Sequence, residues 1–188
     1  MADVKLLGED EVVINSWTSL NVANYIYATR YLALAGELTR FNIRASEAGK
    51  YAYVGIYTDV GGVPGALISP PDTRIQTSVG WGTVEISPTP LSAGNYWLAL
   101  VSNSGRVYRG GTTYTTLRKT DSSYGPLPIS VKSWTNTQTL GYALVGYGTL
   151  ASGGAGRLIG SGDPTMIHVG HPKMIHVANP SLIRARGG

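Results

Sequence analysis

From Gly156 to Gly188 the chain repeats in eights, as GRLIGSGD, PTMIHVGH, PKMIHVAN and PSLIRARG, with one glycine left over. Proline returns at Pro164, Pro172 and Pro180, and a Leu/Met-Ile pair at Leu158-Ile159, Met166-Ile167, Met174-Ile175 and Leu182-Ile183. Proline lacks an N–H and clashes with the preceding turn, so one in every unit excludes a continuous helix. Eight is even, so an extended chain returns the same side chains to the same face in each unit. The segment therefore reads as short extended rungs with a corner at each proline. Each rung carries too few apolar side chains to bury them against itself, and stacked units of this kind need neighbours. Several copies can wind together, or the tail can add strands to another protein. Disordered tails are poor in Met, Ile and Val, whereas these residues recur here, so the composition favours assembly over disorder.

The remaining residues fill the frame of one sizeable domain. The expected organisation is a body at 1–150 and an extended Gly/Pro octad tail at 151–188. Charged residues make up only 14%, with 25 glycines, 12 tyrosines and a single phenylalanine. Low charge with many Gly, Thr, Ser, Tyr and Val is the balance of an all-β protein rich in turns. There is no cysteine, which leaves no disulfide framework and no thiolate metal site. No apolar run approaches the length of a membrane span. The opening MADVKLLGEDEVV is acidic where a signal peptide is basic and then apolar, so synthesis in the cytosol is expected. Of the net charge of +4, the tail holds Arg157, Lys173, Arg184 and Arg186 against Asp163. That is too thin a patch for a nucleic-acid site built on phosphate contacts. Neither nucleic acid nor membrane is an expected partner.

Short strand patterns run along the body between turn clusters. The first spans 11–16. Tyr25–Ala35 mixes aromatic, Thr and Leu residues. In Leu38–Ala45, Phe41, Ile43 and Ala45 alternate with Arg40, Asn42 and Arg44, the pattern of one dry and one wet face. Tyr51–Thr58 is a strong strand, and Asp59–Ala66 reads as a loop of turn residues. Thr73–Val79 alternates weakly. Trp81–Ile86 sets Val84 and Ile86 inward and Glu85 outward, before a turn cluster at Ser87–Gly94. Asn95–Ser102 is apolar on both parities, as in a strand central to a sheet or beneath another layer. Arg106–Tyr108 and Thr112–Leu117 read as a hairpin around Gly110-Gly111. Pro128–Trp134 and Leu140–Leu150 supply the last strands. Roughly eight to ten strands and no helix of useful length point to an antiparallel two-layer sandwich.

The stretches VGIYTDVGGVPGALI and GWGTVEISPTPLSAGNYWLALV carry a resemblance over about Tyr31–Val101. They resemble a recurrent jelly-roll or galactose-binding-like β-sandwich module of prokaryotic surface proteins and phage structural proteins. The resemblance implies a fold and not an activity. Asp59 is placed to cap its own loop, while Gly61, Gly62 and Gly65 allow positive φ. The octad period is similar to that of the triple-stranded β-helices in contractile phage-tail and type VI secretion spikes. Only the period carries over, because the glycine and valine positions differ and proline is added.

A catalytic set is not expected. With no cysteine and all histidines in the tail, a Ser-His-Asp arrangement would have to bridge body and tail. Paired carboxylates for glycoside cleavage would come from Asp59, Asp72, Glu85 or Asp121, each of which also reads as a turn or surface residue. His168, His171 and His176 are irregularly spaced for a metal site in one chain, and read as polar positions of the rungs; no metal and no cofactor are expected. Exposed aromatics on a sheet face are a common way for sandwich modules to bind sugars. The candidates are Trp17, Trp81 and Trp134, with Tyr108, Tyr114 and Tyr124, set against a core role for each. The expectation is a non-enzymatic structural protein of a virus particle that assembles with itself, as a trimer, and with other virion proteins. Its assembly residues are Leu158, Ile159, Pro164, Met166, Ile167, Pro172, Met174, Ile175, Pro180, Leu182 and Ile183. The alternative is a carbohydrate-binding or adhesin module at a cell surface.

Overall fold

The computed structural model describes residues 3–10, 17–19, 25–103, 106–108, 114–119, 124–138 and 141–151. Within them β-branched and aromatic runs bounded by Gly, Pro, Asn and Ser form thirteen strands and no helix. In chain order these are β1 (Val4–Gly8), β2 (Trp17–Ser19), β3 (Ile26–Ala33), β4 (Gly36–Ala45), β5 (Tyr51–Val60), β6 (Val63–Leu67), β7 (Arg74–Gln76), β8 (Gly80–Leu91), β9 (Gly94–Ser102), β10 (Arg106–Tyr108), β11 (Thr116–Lys119), β12 (Thr135–Gln138) and β13 (Leu144–Leu150). The octad positions from Leu158 to Ile183, the three histidines, Asp121 and the 11–16 strand lie outside the described residues.

Two antiparallel sheets pack face to face as a β-sandwich. In the six-stranded sheet, β4 is central, with β13 on one side and β8 on the other. β1 flanks β13, and at Ala45 the end of β4 meets β10, which carries β2. The seven-stranded sheet runs β12-β11-β3-β9-β5-β6, and β7 also pairs with β5. The alternation of β4 sends Phe41, Ile43 and Ala45 inward, all buried, and Phe41 and Ile43 share a core with Val54, Ile56, Leu98 and Leu100 of the facing sheet. Burying each such large side chain contributes about 1.5–3 kcal/mol.

β9 has no wet face because a second layer lies on its other side. Ile26, Ala28, Tyr57, Trp97, Ala99, Val101 and Leu117 form a second core, closed by Leu127 and flanked by Tyr124, Val131 and Trp134. The strap 124–134 is thus a cover for the outer face of the seven-stranded sheet. This corrects the expected strand at Pro128–Trp134: only Ser130 makes a β-bridge, to Ala66. Strap side chains bury apolar area without joining a ladder.

Other expectations shift for local reasons. Asp59–Ala66 is a hairpin and not a loop, because Gly61 and Gly62 at φ of 61° and 86° make a tight two-residue turn that matches strand twist. Pro64 is tolerated there because β6 is an edge strand. Gly65 serves space and not positive φ, since an added Cβ would lie 2.6 Å from Thr58 Oγ1. The Ser87–Gly94 cluster is mostly strand: β8 continues to Leu91, with Thr89, Pro90 and Leu91 paired to β4 beyond a bulge. It is an edge, so its prolines cost no ladder bond. Gly110-Gly111 lie outside the described residues, but the described parts of the two arms of the expected hairpin do not pair with each other: β10 pairs with β2 and β4, and β11 with β3 and β12. Val107 belongs to the inter-sheet core and Leu117 to the second core, so burial separates the arms.

Candidate functional site

The outward residues of β4 build the most distinctive surface of the body. Directly opposed residues of an antiparallel pair share a face, so the register defines transverse rows across the six-stranded sheet. One row is Tyr147–Arg40–Glu85, the next Val145–Asn42–Thr83, and Arg44 stands beside Trp81 in the third. Tyr108 of β10 completes the third row, its ring centroid 5.1 Å from the Arg44 guanidinium carbon. Arg40 lies 4.8 Å from the Tyr147 ring in the same way, and also pairs with Asp3. Each stacked cation contributes about 0.5–1 kcal/mol at an exposed site.

The two arginines differ in what they leave open. Arg40 has a carboxylate partner in Asp3. Among the described residues Arg44 has none, and its Nε is buried without a hydrogen-bond acceptor. Asn42 Oδ1, in the adjoining row, is likewise buried and unpartnered. An unsatisfied group of this kind costs about 1–3 kcal/mol. Trp81 is 37% exposed at the side of this pair. The backbone of Trp17 pairs in register with Tyr108, which places that residue at the border of the same face.

The remaining aromatic candidates lie elsewhere. Trp134 packs against the second core, its ring 6.3 Å from Tyr57 in an edge arrangement. Tyr114 stacks on Tyr31 at 4.7 Å and donates its hydroxyl to Glu9 at 2.6 Å. Tyr124 stacks on Tyr53 at 5.3 Å. Of the three tryptophans singled out as possible sugar contacts, the fold therefore brings Trp81 and the Trp17 backbone to one face and puts Trp134 under the strap.

The candidate carboxylates separate in the same manner. Asp59, with 13% of its side chain exposed, accepts hydrogen bonds from Arg30 Nη2 at 2.7 Å and Trp97 Nε1 at 2.6 Å. Burial pushes its carboxyl up, but the bonds from Arg30 and Trp97, the Arg30 charge and the Gly62 N–H hold it below the ordinary carboxylate value. It ties the β5–β6 hairpin to β3 and β9, which is a structural task. Asp72 and Glu85 both line an open groove of about 560 Å³ between the Pro70–Arg74 segment and β8. Arg74 in this groove is stacked on Tyr51 at 4.6 Å. Among the described residues no cluster of three or more metal-ligating side chains occurs.

Two features were hidden from sequence reasoning. Tyr108 and Tyr147 are distant in the chain from Arg40 and Arg44, and only register joins them. Glu9 is buried in a segment that reads as a polar terminus. The wet alternation of β4 was the available signal for the face. No family model and no curated protein matches this chain.

Proposed function

We propose that this chain is a non-enzymatic structural protein of a virus particle, a head-decoration, fibre or tail component of a tailed phage or archaeal virus. The sandwich body, of the jelly-roll or galactose-binding-like kind, is displayed on the particle. The octad tail holds copies together as a homo-oligomer, a trimer by analogy with other eight-residue repeats, or fixes them to neighbouring virion proteins. The observation that carries this reading is the fourfold recurrence of the Leu/Met-Ile pair with proline at the corners, because such rungs need partners to bury them. A feature of the body supports it. Leu32, Leu34 and Leu150 are 73%, 49% and 48% exposed at the β3–β4 corner, where Ala151 N donates to Ala35 O. That is an apolar corner at the point where the chain leaves its last described strand.

Removing 156–188 tests the reading. Analytical ultracentrifugation of the truncated protein is expected to show a folded monomer, against an oligomer for the full chain. An unchanged assembly state after truncation overturns it.

A second reading is favoured by one specific observation. The Trp81–Arg44–Tyr108 row has the composition of a sugar-binding face, with an aromatic platform beside hydrogen-bond donors. On this reading the body is a carbohydrate-binding or adhesin module of a receptor-binding or cell-surface protein. Loss of glycan binding in Trp81→Ala supports it.

A further inference from the structure

We propose that the outer face of the six-stranded sheet binds a carboxylate-bearing sugar, with Trp81 as the stacking platform, Arg44 as the carboxylate partner and Asn42 as a hydroxyl reader. The inference rests on the glycan-binding reading above and adds the charge class of the ligand. Three observations carry it together.

The first is the isolation of Arg44. Arg40 takes Asp3 and Arg30 takes Asp59, whereas Arg44, like Arg74 on Tyr51, is held by a tyrosine ring and no described acid. The Arg44 side chain has no carboxylate and no hydrogen bond among the described residues, and its Nε is buried without an acceptor. Stacking on Tyr108 occupies a flat face of the guanidinium and leaves its two Nη groups, which unlike Nε are not buried, for a ligand. That planar fork matches a carboxylate, which accepts two parallel hydrogen bonds.

The second is Asn42. It shares the outer face of β4 with Arg44, two residues away along the strand, and its Oδ1 is buried and unpartnered. That oxygen has almost no accessible surface in the free protein, so a ligand reaches it only by displacing a neighbouring side chain; a sugar hydroxyl is a donor that then satisfies it, whereas a second carboxylate or a phosphate offers only acceptors. The two vacancies thus ask for different chemistry within one ligand: an anion at Arg44 and a hydroxyl donor at Asn42.

The third is Trp81. It stands opposite Arg44 in the ladder and is partly exposed, so a flat apolar surface borders both polar groups. Sugar rings have such a surface in the C–H groups of one face. A phosphopeptide or a nucleic acid would call for a broader field of cations than this face supplies, since Glu85 lies in the Arg40 row.

The full chain is titrated calorimetrically with oligogalacturonate and with sialyllactose, the two common sources of a sugar carboxylate. Methyl-esterified oligogalacturonate and lactose serve as the neutral counterparts. Binding of at least one acidic probe is expected, with roughly tenfold to hundredfold weaker binding of its neutral counterpart, the size of one charge-assisted hydrogen bond. Arg44→Ala is expected to remove that preference, Arg44→Lys to restore part of it, and Asn42→Ala to weaken both acidic and neutral probes. Thermal melts of each variant confirm that the body is folded. Equal affinity for acidic and neutral probes, with Trp81→Ala abolishing both, overturns the acidic-ligand inference and leaves the glycan reading standing. Absence of binding to every probe, charged or neutral, overturns both.

Discussion

Replacing Asp59 with alanine probes the tightest polar junction in the body. The carboxylate joins three strands, accepting from Arg30 on β3 and from the Trp97 indole on β9 while it sits on β5. Trp97 is fully buried, so its N–H has no water to turn to when Asp59 is removed. Leaving that donor unsatisfied costs about 1–3 kcal/mol. Arg30 is 36% exposed in its side chain, so the lost ion pair adds only about 0.2–1 kcal/mol after solvent screening. The expected loss is about 1–4 kcal/mol. At roughly 2–4 °C per kcal/mol for a chain of this size, Tm falls by about 3–15 °C. The assay is differential scanning calorimetry of wild type, Asp59→Ala, Trp97→Phe and the double variant. Trp97→Phe removes the orphaned donor, so the double variant is expected to lose clearly less than the sum of the singles. Acid provides an independent arm. The folded-state pKa of Asp59 is held below its unfolded value, so the stabilisation is fully present above about pH 4 to 5 and disappears as pH falls through the folded value. Asp59→Ala lacks this component and its stability should fall less steeply in that range. A Tm within about 1 °C of wild type, or strict additivity in the cycle, refutes the junction as described.

Two glycine substitutions should differ in severity. An added Cβ at Gly148 lies 1.8 Å from the Glu37 carbonyl oxygen, whereas at Gly55 it meets the movable ends of Leu127 and Ser69 at 2.8 Å. Gly55→Ala is expected to cost about 1–3 kcal/mol by overpacking and Gly148→Ala more, because backbone cannot step aside; chemical denaturation curves rank them. Alkali should also unfold the body. Burial raises the phenols of Tyr31 and Tyr57 well above the ordinary tyrosine value, and the neutral Tyr57 hydroxyl donates to Pro128 O at 2.7 Å. The folded state therefore holds these protons more tightly than the unfolded chain. Stability is full below about pH 10 and declines as pH rises beyond it, followed by tyrosinate absorbance alongside circular dichroism.

The strand alternation of β4 was legible because one face is dry and the other wet, and a period of two then appears directly in the residue order. The double burial of β9 was equally legible, since Trp97, Ala99 and Val101 are as apolar as Leu98 and Leu100. What covers its second face was not. The strap 124–134 has Pro126, Pro128 and no clean period, and its burial depends on Tyr57 and Trp97 being present beneath it. The extent of β8 was misjudged for a similar reason: Pro88 and Pro90 read as turn residues until their position on an open edge removes the penalty.

Residue order alone determined that this chain makes sheets and turns, that β4 has a polar side, and that the last thirty-odd residues repeat in eights with apolar pairs. These are local properties, set by side-chain branching, by alternation and by where glycine and proline stand. Tertiary structure decided the rest. Register brought Tyr108 and Trp81 to either side of Arg44, sheet choice separated β10 from β11, and burial converted Asp59 from a loop cap into a three-strand junction. Each of those outcomes depends on which distant residues share a face, and pairing between distant strands leaves no periodic trace in either partner.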